Sequence, residues 1–351
     1  MIDLRPALST AVALGRAIDG LLAEAEQDFP EAIHQIAFPR DQGFQVTSDV
    51  QAGDIFQRAV LLEAFAAIHD RGLRDLSALI AREADYLVSR RRDYAPGGWS
   101  YFPDLHELPA DADDLAQGIR ALLAAGRREA AIDAAAEPLA TLLDHGQVGP
   151  GLYETWIMPR AGDERHARQR WWIQQAWGRG PDGEVIANLV VALDRLDPQA
   201  HAETIAACRA RIAAMQTPDG DWRATWYHGP FYPGWVATLA LGPDAQATSR
   251  WRAWLRRSQR ADGGWGWRDT SDAQSTALAM MALDPRDPAL PAARDYLLAT
   301  QEPDGFWPGS LWIRMELGRA TGQVRTILSY GSRTIGTGYA VQALLGLDQE
   351  R

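Results

Sequence analysis

The sequence predicts an all-α protein, an (α/α)6 barrel in which helical hairpins form two concentric rings. The first observation is a pattern, Gln-x-x-Asp-Gly-x-Trp, that occurs three times, at Gln216–Trp222, Gln259–Trp265 and Gln301–Trp307. The second is its context: each copy follows a helical run, and each precedes a second run that is apolar on nearly all sides. The third is the presence of weaker copies upstream, which bring the number of hairpins to about six.

The elements follow in order along the chain. The opening run, Met1 to Ala25, is typical of an amphipathic helix, and Pro6 interrupts its first turn. We predict a single domain over residues 1–351, with an N-terminal helical segment over 1–30 and about six helical-hairpin repeats over 31–350. Runs that are apolar on most sides are expected to form the inner ring. They are 54–62, 115–125, 184–193, 234–241, 275–283 and 336–344.

The conserved positions within the repeat favour structural roles over catalytic ones. The Gly can turn the chain after an outer helix. The Gln amide can satisfy free backbone groups at helix ends, and the Trp can pack over them. We therefore expect Trp222, Trp265 and Trp307 to hold the hairpins together.

Composition excludes several classes of protein. The 351 residues are 46% hydrophobic and carry a net charge of −11, which argues against nucleic acid as a partner. All 35 basic residues are Arg, so an anion would be bound by Arg, backbone amides or a metal. The single cysteine, Cys208, excludes a disulfide framework. The sequence shows neither a signal peptide nor a run long enough for an integral membrane segment, and we expect a cytoplasmic protein.

Three carboxylates occur within four positions, at Asp111, Asp113 and Asp114, after an aromatic Gly-Gly-Trp turn and before the run 115–125. Acids this close repel one another when ionised, so one of them can retain a proton near neutral pH. A proton held among aromatic groups suits an acid catalyst for an apolar substrate. An Asp before a helix is also a common N-cap, where the ionised form is favoured.

These motifs resemble those of the squalene–hopene cyclase and prenyltransferase superfamily. The three repeats resemble its QW repeats. The passage from Gly97-Gly98-Trp99 to the acidic cluster resembles the segment that carries the DxDD motif of class II terpene cyclases. The resemblance covers roughly residues 54–347 and implies a barrel of the terpene cyclase and prenyltransferase type.

The resemblance also implies roles for the acids. Asp113 matches the catalytic acid, which protonates an alkene or epoxide and starts carbocation cyclisation, while Asp111 and Asp114 match the acids that tune and orient it. Aromatic walls would stabilise cations, and protonation would need no redox cofactor. Mg²⁺ is expected only if the substrate carries a diphosphate.

This chain departs from the family pattern in two respects. Leu115 stands where the family has Thr, so a hydroxyl that could bond an acid is absent. Class II cyclases also usually pair this barrel with a second helical domain, whereas this chain has length for one. A homodimer or a second-domain partner protein could complete the site.

The metal-dependent branches of the superfamily are disfavoured. A zinc prenyltransferase would need an Asp two residues before Cys208, and that position is Ala206. Class I ionisation needs Asp-Asp-x-x-Asp, which Asp113 and Asp114 do not begin. We therefore predict no metal ligands.

Substrate-binding candidates share two features: they stand at the heads of predicted inner helices, or they belong to aromatic loops between them. A helix cap or a core position is the alternative for each. The candidates are Trp99, Tyr101, Asp54, Trp156, Asn188, Tyr227, His228, Tyr232, Trp235, Asp272, Arg58 and Thr337. Arg58 is included because a diphosphate would need an Arg.

Three functions remain open on the sequence, and the least specific of them is a structural or interaction module, since helical rings can serve as scaffolds. The first is a class II-like terpene cyclase, of isomerase or lyase type, in which Asp113 protonates a linear small-molecule isoprenoid, expected to be a prenyl diphosphate. The second is a barrel that binds an isoprenoid or another apolar ligand without turnover, which Leu115 and the missing second domain would favour.

Overall fold

The computed structural model describes residues 9–38, 40 and 49–347. It is predominantly helical, which confirms the all-α prediction. The predicted N-terminal segment is a helix from Thr10 onwards, and residues 1–8, including Pro6, lie outside the described residues. None of the helices in the described ranges is both long and apolar enough to cross a membrane.

Six helices contact one another in a closed cycle. Each packs against the next one in the following series, and the sixth packs against the first. They are α2 (Ile55–Asp70), α4 (Ala112–Ala124), α7 (Gly183–Leu196), α9 (Phe231–Leu241), α11 (Ala273–Ala282) and α13 (Arg333–Leu347). These are the runs predicted for the inner ring, and nearly every residue of α2, α4 and α11 is buried.

Six further helices pack on the outside of this cycle, one on each member. They are α1 (Thr10–Glu26), α3 (Ser77–Ser89), α5 (Arg128–His145), α8 (Ala202–Ala214), α10 (Gln246–Ser258) and α12 (Leu290–Thr300). Each buries one face only; α3, for example, buries Ile80, Glu83, Ala84 and Leu87. The N-terminal α1 packs against the C-terminal α13, so the segment predicted separately over 1–30 supplies one of the outer helices.

The repeated Gln and Trp tie neighbouring outer helices together. Each Gln side chain donates from Nε2 to the Gly carbonyl of its own repeat and to a carbonyl near the start of the next outer helix: Gln216 bonds Ala247, Gln259 bonds Ala289, and Gln301 bonds Ala13, all at 2.8–2.9 Å.

The Trp indoles of the repeats bond the end of the preceding outer helix. Trp222, Trp265 and Trp307 donate to carbonyls in the last turn of the preceding outer helix at 2.7–2.9 Å. Both sets of bonds satisfy backbone groups that a helix end leaves free. The structure therefore supports the structural roles that the repeat indicates.

Three antiparallel hairpins lie in loops that precede or join the helices. They pair β1 (His34–Ala37) with β2 (Val50–Gly53), β3 (Gln147–Gly149) with β4 (Leu152–Tyr153), and β5 (Ser310–Leu317) with β6 (Thr326–Ser332). A short helix, α6 (Glu164–Trp172), precedes α7. The sequence pattern did not predict these strands, because the residues that follow each repeat were interpreted as loops. The β5–β6 hairpin matters most, since four of its residues contribute to the site.

Candidate active site

The acidic cluster stands at the first turn of α4. Asp111 is the N-cap: its Oδ1 accepts from the backbone N–H groups of Asp113 at 3.0 Å and Asp114 at 2.8 Å. The backbone around Asp111 pairs with the segment at Trp156, where Ala112 N donates to Thr155 O at 2.7 Å. Capping and clustering of the acids therefore occur together, since one carboxylate caps and the next two point elsewhere.

Asp113 is held by two side-chain donors. Asn188 Nδ2 donates to its Oδ1 at 2.9 Å, and Tyr227 Oη donates to its Oδ2 at 2.5 Å. Burial raises the pKa of Asp113 to about 7, with the two hydrogen bonds opposing the shift and the charge of Asp111 adding to it. Asp113 therefore retains its proton in a substantial fraction of molecules at neutral pH.

Asp111 and Asp114 share a carboxyl–carboxyl hydrogen bond. Burial, the Asp111 charge and this bond raise the pKa of Asp114 well above its usual value. Burial also raises the pKa of Asp111, but the bonds from Asp114 and from the backbone N–H groups oppose that rise. Asp114 is accordingly the protonated partner and Asp111 the charged acceptor.

The amide of Asn188 has a fixed orientation. Its Oδ1 accepts from Arg120 Nη1 at 2.5 Å, so its Nδ2 must face Asp113. Arg120 is 1% exposed and pairs with Glu63 at 2.9 Å. Because Asn188 can only donate to Oδ1 of Asp113, the acid proton belongs on Oδ2.

A cavity opens onto the acids. Its walls are almost entirely apolar and aromatic. They are formed by Phe38, Phe56, Tyr101, Phe102, Leu108, Asp111, Asp113, Asp114, Thr155, Trp156, Trp177, Val185, Trp226, Tyr227, Ile313, Met315, Leu317 and Leu328. Aromatic faces stabilise cations while offering no basic atom, which suits a carbocation better than an anion.

Hydrogen bonds to Glu184 and ring stacking hold the segment that carries Tyr227 in place. Glu184 Oε1 accepts from the backbone N–H groups of Thr225 at 2.6 Å and Trp226 at 2.9 Å. The Tyr227 ring stacks on Tyr232 with centroids 3.9 Å apart. These contacts hold the Tyr227 hydroxyl against Asp113.

Nine of the predicted site residues come together here. Asp111, Asp113, Asp114, Tyr101, Trp156 and Tyr227 line the cavity. Asn188 contacts Asp113 from behind. Tyr232 and Trp235 form a second layer, with their ring centroids 5.6 Å apart.

The six remaining predicted substrate-binding residues, like Asn188, Tyr232 and Trp235, are not part of the cavity lining. Asp54 and Arg58 form a buried ion pair at 3.0 Å, and Arg58 also pairs with Glu83 at 2.9 Å. Both Arg58 and Glu83 are buried, so the Arg is committed to neutralising carboxylates inside the protein.

The other four have structural partners as well. Trp99 donates to Leu87 O at 2.7 Å, as the repeat Trp residues do, and it packs on α4. Asp272 caps α11 through Ser275 N at 2.8 Å. Thr337 accepts from the backbone of Trp307 at 3.2 Å, and His228 bonds Ser329 at 3.0 Å.

The sequence analysis did not identify several residues that line the cavity. Ile313, Met315, Leu317 and Leu328 come from the β5–β6 hairpin. The alternation of buried and more exposed residues around Ile313–Leu317 is the signal that could have identified a strand there. Among the residues that the structure describes, no group of three or more His, Cys, Asp or Glu side chains could hold a metal ion.

Replacing Tyr227 with Phe is expected to move the alkaline limb of the pH–rate profile to higher pH. The Tyr227 hydrogen bond lowers the pKa of Asp113, so its loss raises that pKa. In the reaction proposed below, the protonated acid is the active form, and activity is lost as pH rises through the pKa. Turnover should also fall by about 10- to 100-fold, since the carboxylate formed loses a donor.

The matched control is Tyr339→Phe, because the buried Tyr339 hydroxyl bonds no partner among the described residues. A Tyr227→Phe profile that superimposes on the wild-type profile would contradict this role for Tyr227.

Comparisons with known proteins point to terpene cyclases. No family model matches the chain. It is 32% identical over 124 residues to labda-7,13-dienyl diphosphate synthase of Streptomyces clavuligerus, which is 33% of this chain and 23% of that protein. It is 30% identical over 248 residues to drimenyl diphosphate synthase of Streptantibioticus cattleyicolor, which is 65% of this chain and 41% of that protein. The chain thus spans less than half the length of these curated relatives.

Solved structures give the fold. The type II terpene cyclase MstE from Scytonema superimposes with a TM-score of 0.70 at 19% identity, covering 96% of this chain and 97% of that one. Ent-copalyl diphosphate synthase from Streptomyces platensis superimposes with a TM-score of 0.57 at 23% identity, covering 84% of this chain and 50% of that one. The fold is that of the terpene cyclases, and these relatives and neighbours are enzymes of the terpene cyclase type.

Proposed function

We propose that this chain is a class II terpene cyclase in which Asp113 is the general acid. The observation that carries the proposal is a buried carboxyl, with its pKa raised to about 7, that opens onto an aromatic cavity. The named activities of the relatives support the reaction type. We also infer that the closed cycle of helices is the inner ring of an (α/α)6 barrel.

The proposed reaction begins at Oδ2 of Asp113. The O–H bond breaks as its proton bonds to the terminal alkene of a linear isoprenoid, and a tertiary carbocation forms. Neighbouring alkenes of the same chain then attack in turn and close rings. Asn188 and Tyr227 donate to the carboxylate left behind, so the transition state gains stabilisation that the neutral acid has only in part.

The tuning of Asp113 combines two opposed effects. Burial keeps the proton on the acid until an alkene occupies the cavity, and the two donors make the conjugate base more stable. Asp111 remains charged at the helix N-terminus and keeps Asp114 protonated beside it. Together these groups would leave one proton for transfer to the substrate, on Oδ2 of Asp113.

The substrate is proposed to be a linear isoprenoid with a free terminal alkene. A prenyl diphosphate is supported by the names of the curated relatives, and Mg²⁺ would then accompany the diphosphate. A head group without a diphosphate is supported by a variant of MstE in complex with geranylgeranyl dihydroxybenzoate, described as its substrate. MstE is matched over 97% of its length, which supports activity in a single barrel without a second domain.

The test is incubation of the purified chain with linear isoprenoids of increasing length, each as the diphosphate with Mg²⁺ and as a neutral ester. A cyclised isomer of unchanged mass, separated by chromatography and identified by mass spectrometry, is the expected product. Heat-denatured protein is the control. Binding of these compounds without any isomer formed would instead favour the ligand-binding alternative.

A further inference from the structure

Tyr101 is a further residue with a polar group among those that line the cavity that holds Asp113. Its hydroxyl contacts His34 Nδ1 at 2.9 Å and Gln57 Nε2 at 2.8 Å. His34 belongs to β1 and Gln57 to α2, so two separate elements converge on this oxygen. All three side chains are buried.

The directions of these bonds follow from the donors available. Gln57 Nε2 can only donate, so it occupies one lone pair of the Tyr101 oxygen. The Tyr101 hydrogen then goes to His34 Nδ1, which accepts as a neutral imidazole. The second lone pair of the Tyr101 oxygen has no assigned donor among the described residues, and Tyr101 itself belongs to the cavity lining.

We infer that Tyr101 and His34 form the proton acceptor that ends the cyclisation. The inference rests on the proposed function. A C–H bond next to the final carbocation breaks, and its electrons form a C=C bond. The proton bonds to the free lone pair of the Tyr101 oxygen, while the original hydroxyl proton passes to His34 Nδ1. The product is a cyclic alkene, and His34 later returns a proton to solvent.

The protonation states required of the acid and the acceptor can coexist. Burial lowers the pKa of His34 to about 4, whereas burial raises that of Asp113 to about 7. Between these values Asp113 is protonated and His34 neutral in most molecules. With ordinary pKa values the His would be charged wherever the Asp kept its proton. A weak base is sufficient, because a tertiary carbocation is a very strong acid.

The groups around each site support this assignment. The titratable groups that face His34 are Tyr101 from the loop before α4 and Tyr330 from β6, whose ring stacks on the imidazole at 4.4 Å. Asp114 lies near Tyr101, and Glu31 lies near Tyr330.

Asp113 is faced by Asp111, Asp114 and Tyr227, with Arg120 behind Asn188. The groups that surround the proton donor, Asp113, therefore differ from those that surround the proton acceptor, Tyr101 with His34. Of these groups, Asp114 alone is near both.

Two variants test the inference, assayed with the isoprenoid that the wild type cyclises. Tyr101→Phe removes the oxygen but keeps the aromatic face. His34→Asn keeps an acceptor near the Nδ1 position but removes its basicity. Each is expected to lower the share of alkene product by about 10-fold or more, with water-captured alcohols rising, because general base catalysis typically contributes 10²–10⁴-fold. Tyr86→Phe, which loses a part-buried hydroxyl bonded to Asp54 outside the cavity lining, is the matched control.

The pH dependence separates proton transfer from a packing role. Wild-type alkene formation should fall below about pH 4 as His34 becomes charged, and His34→Asn should lose this acid limb while keeping the alkaline one. If either variant unfolds in a thermal melt, the pH dependence of alkene formation by the wild type still tests the inference. An unchanged product mixture in both variants, or no acid limb in the wild type, would overturn the inference. Absence of any cyclised product from the wild type would count against the proposed function itself.

Discussion

Asp113→Asn is expected to lower turnover of the cyclised substrate by about 10²–10⁴-fold, the range typical of a lost general acid. The amide has nearly the same shape, and Asn188 can still donate to its oxygen. It cannot give a proton to an alkene, however, because an amide N–H is far less acidic than a carboxylic acid. Substrate consumption followed by chromatography measures the loss, and a melting curve tests whether the fold is kept.

Asp272→Asn provides the matched control for this substitution. Asp272 is the N-cap of α11, another helix of the closed cycle, and Asn caps a helix about as well as Asp. Activity near wild type is expected from it. If Asp113→Asn also turned over at the wild-type rate, the assignment of the acid would be wrong.

Trp265→Ala is expected to lower the free energy of unfolding by about 3–5 kcal/mol, as large-to-small changes of buried aromatic residues do. Trp265 is fully buried, and its indole donates to Leu255 O at 2.9 Å. The substitution therefore leaves a cavity and a carbonyl without its donor. Denaturant unfolding followed by circular dichroism measures the change.

Trp267→Ala is the control two residues further along. Trp267 is 50% exposed, so a change of less than about 1 kcal/mol is expected at this site. Equal destabilisation by the two substitutions would show that the repeat position has no special structural role.

The fold was predictable where the determinants are local. A Gln, a Gly and a Trp within seven residues satisfy the ends of helices next to them in sequence, so the repeat is visible without the structure. The β5–β6 hairpin was not predicted, because it lies between the third repeat and α13, where the repeat pattern predicts a loop. Its Tyr227↔Ile313 bridge joins two distant parts of the chain.

The site shows the same contrast between residues that are close in sequence and residues that are far apart. Asp111, Asp113 and Asp114 are adjacent in sequence and were identified together. The donors that set the acidity of Asp113 are not, since Asn188 lies 75 residues away and Tyr227 lies 114 away. Both were candidates only as possible lining groups. The ion pair of Arg58 was also not apparent from the sequence, since its partner Glu83 lies 25 residues away on a neighbouring helix.

The joint between the two ends of the chain bears on how the protein unfolds. Because α1 packs on α13 and Gln301 bonds Ala13, the series of hairpins returns to its starting point. A linear repeat array needs capping units at its two ends and can fray from either. A closed series has no end unit, so loss of any hairpin exposes two neighbours at once. Unfolding should therefore be more cooperative than in an open array, because α13 packs against both α1 and α2 and so joins the two ends of the series.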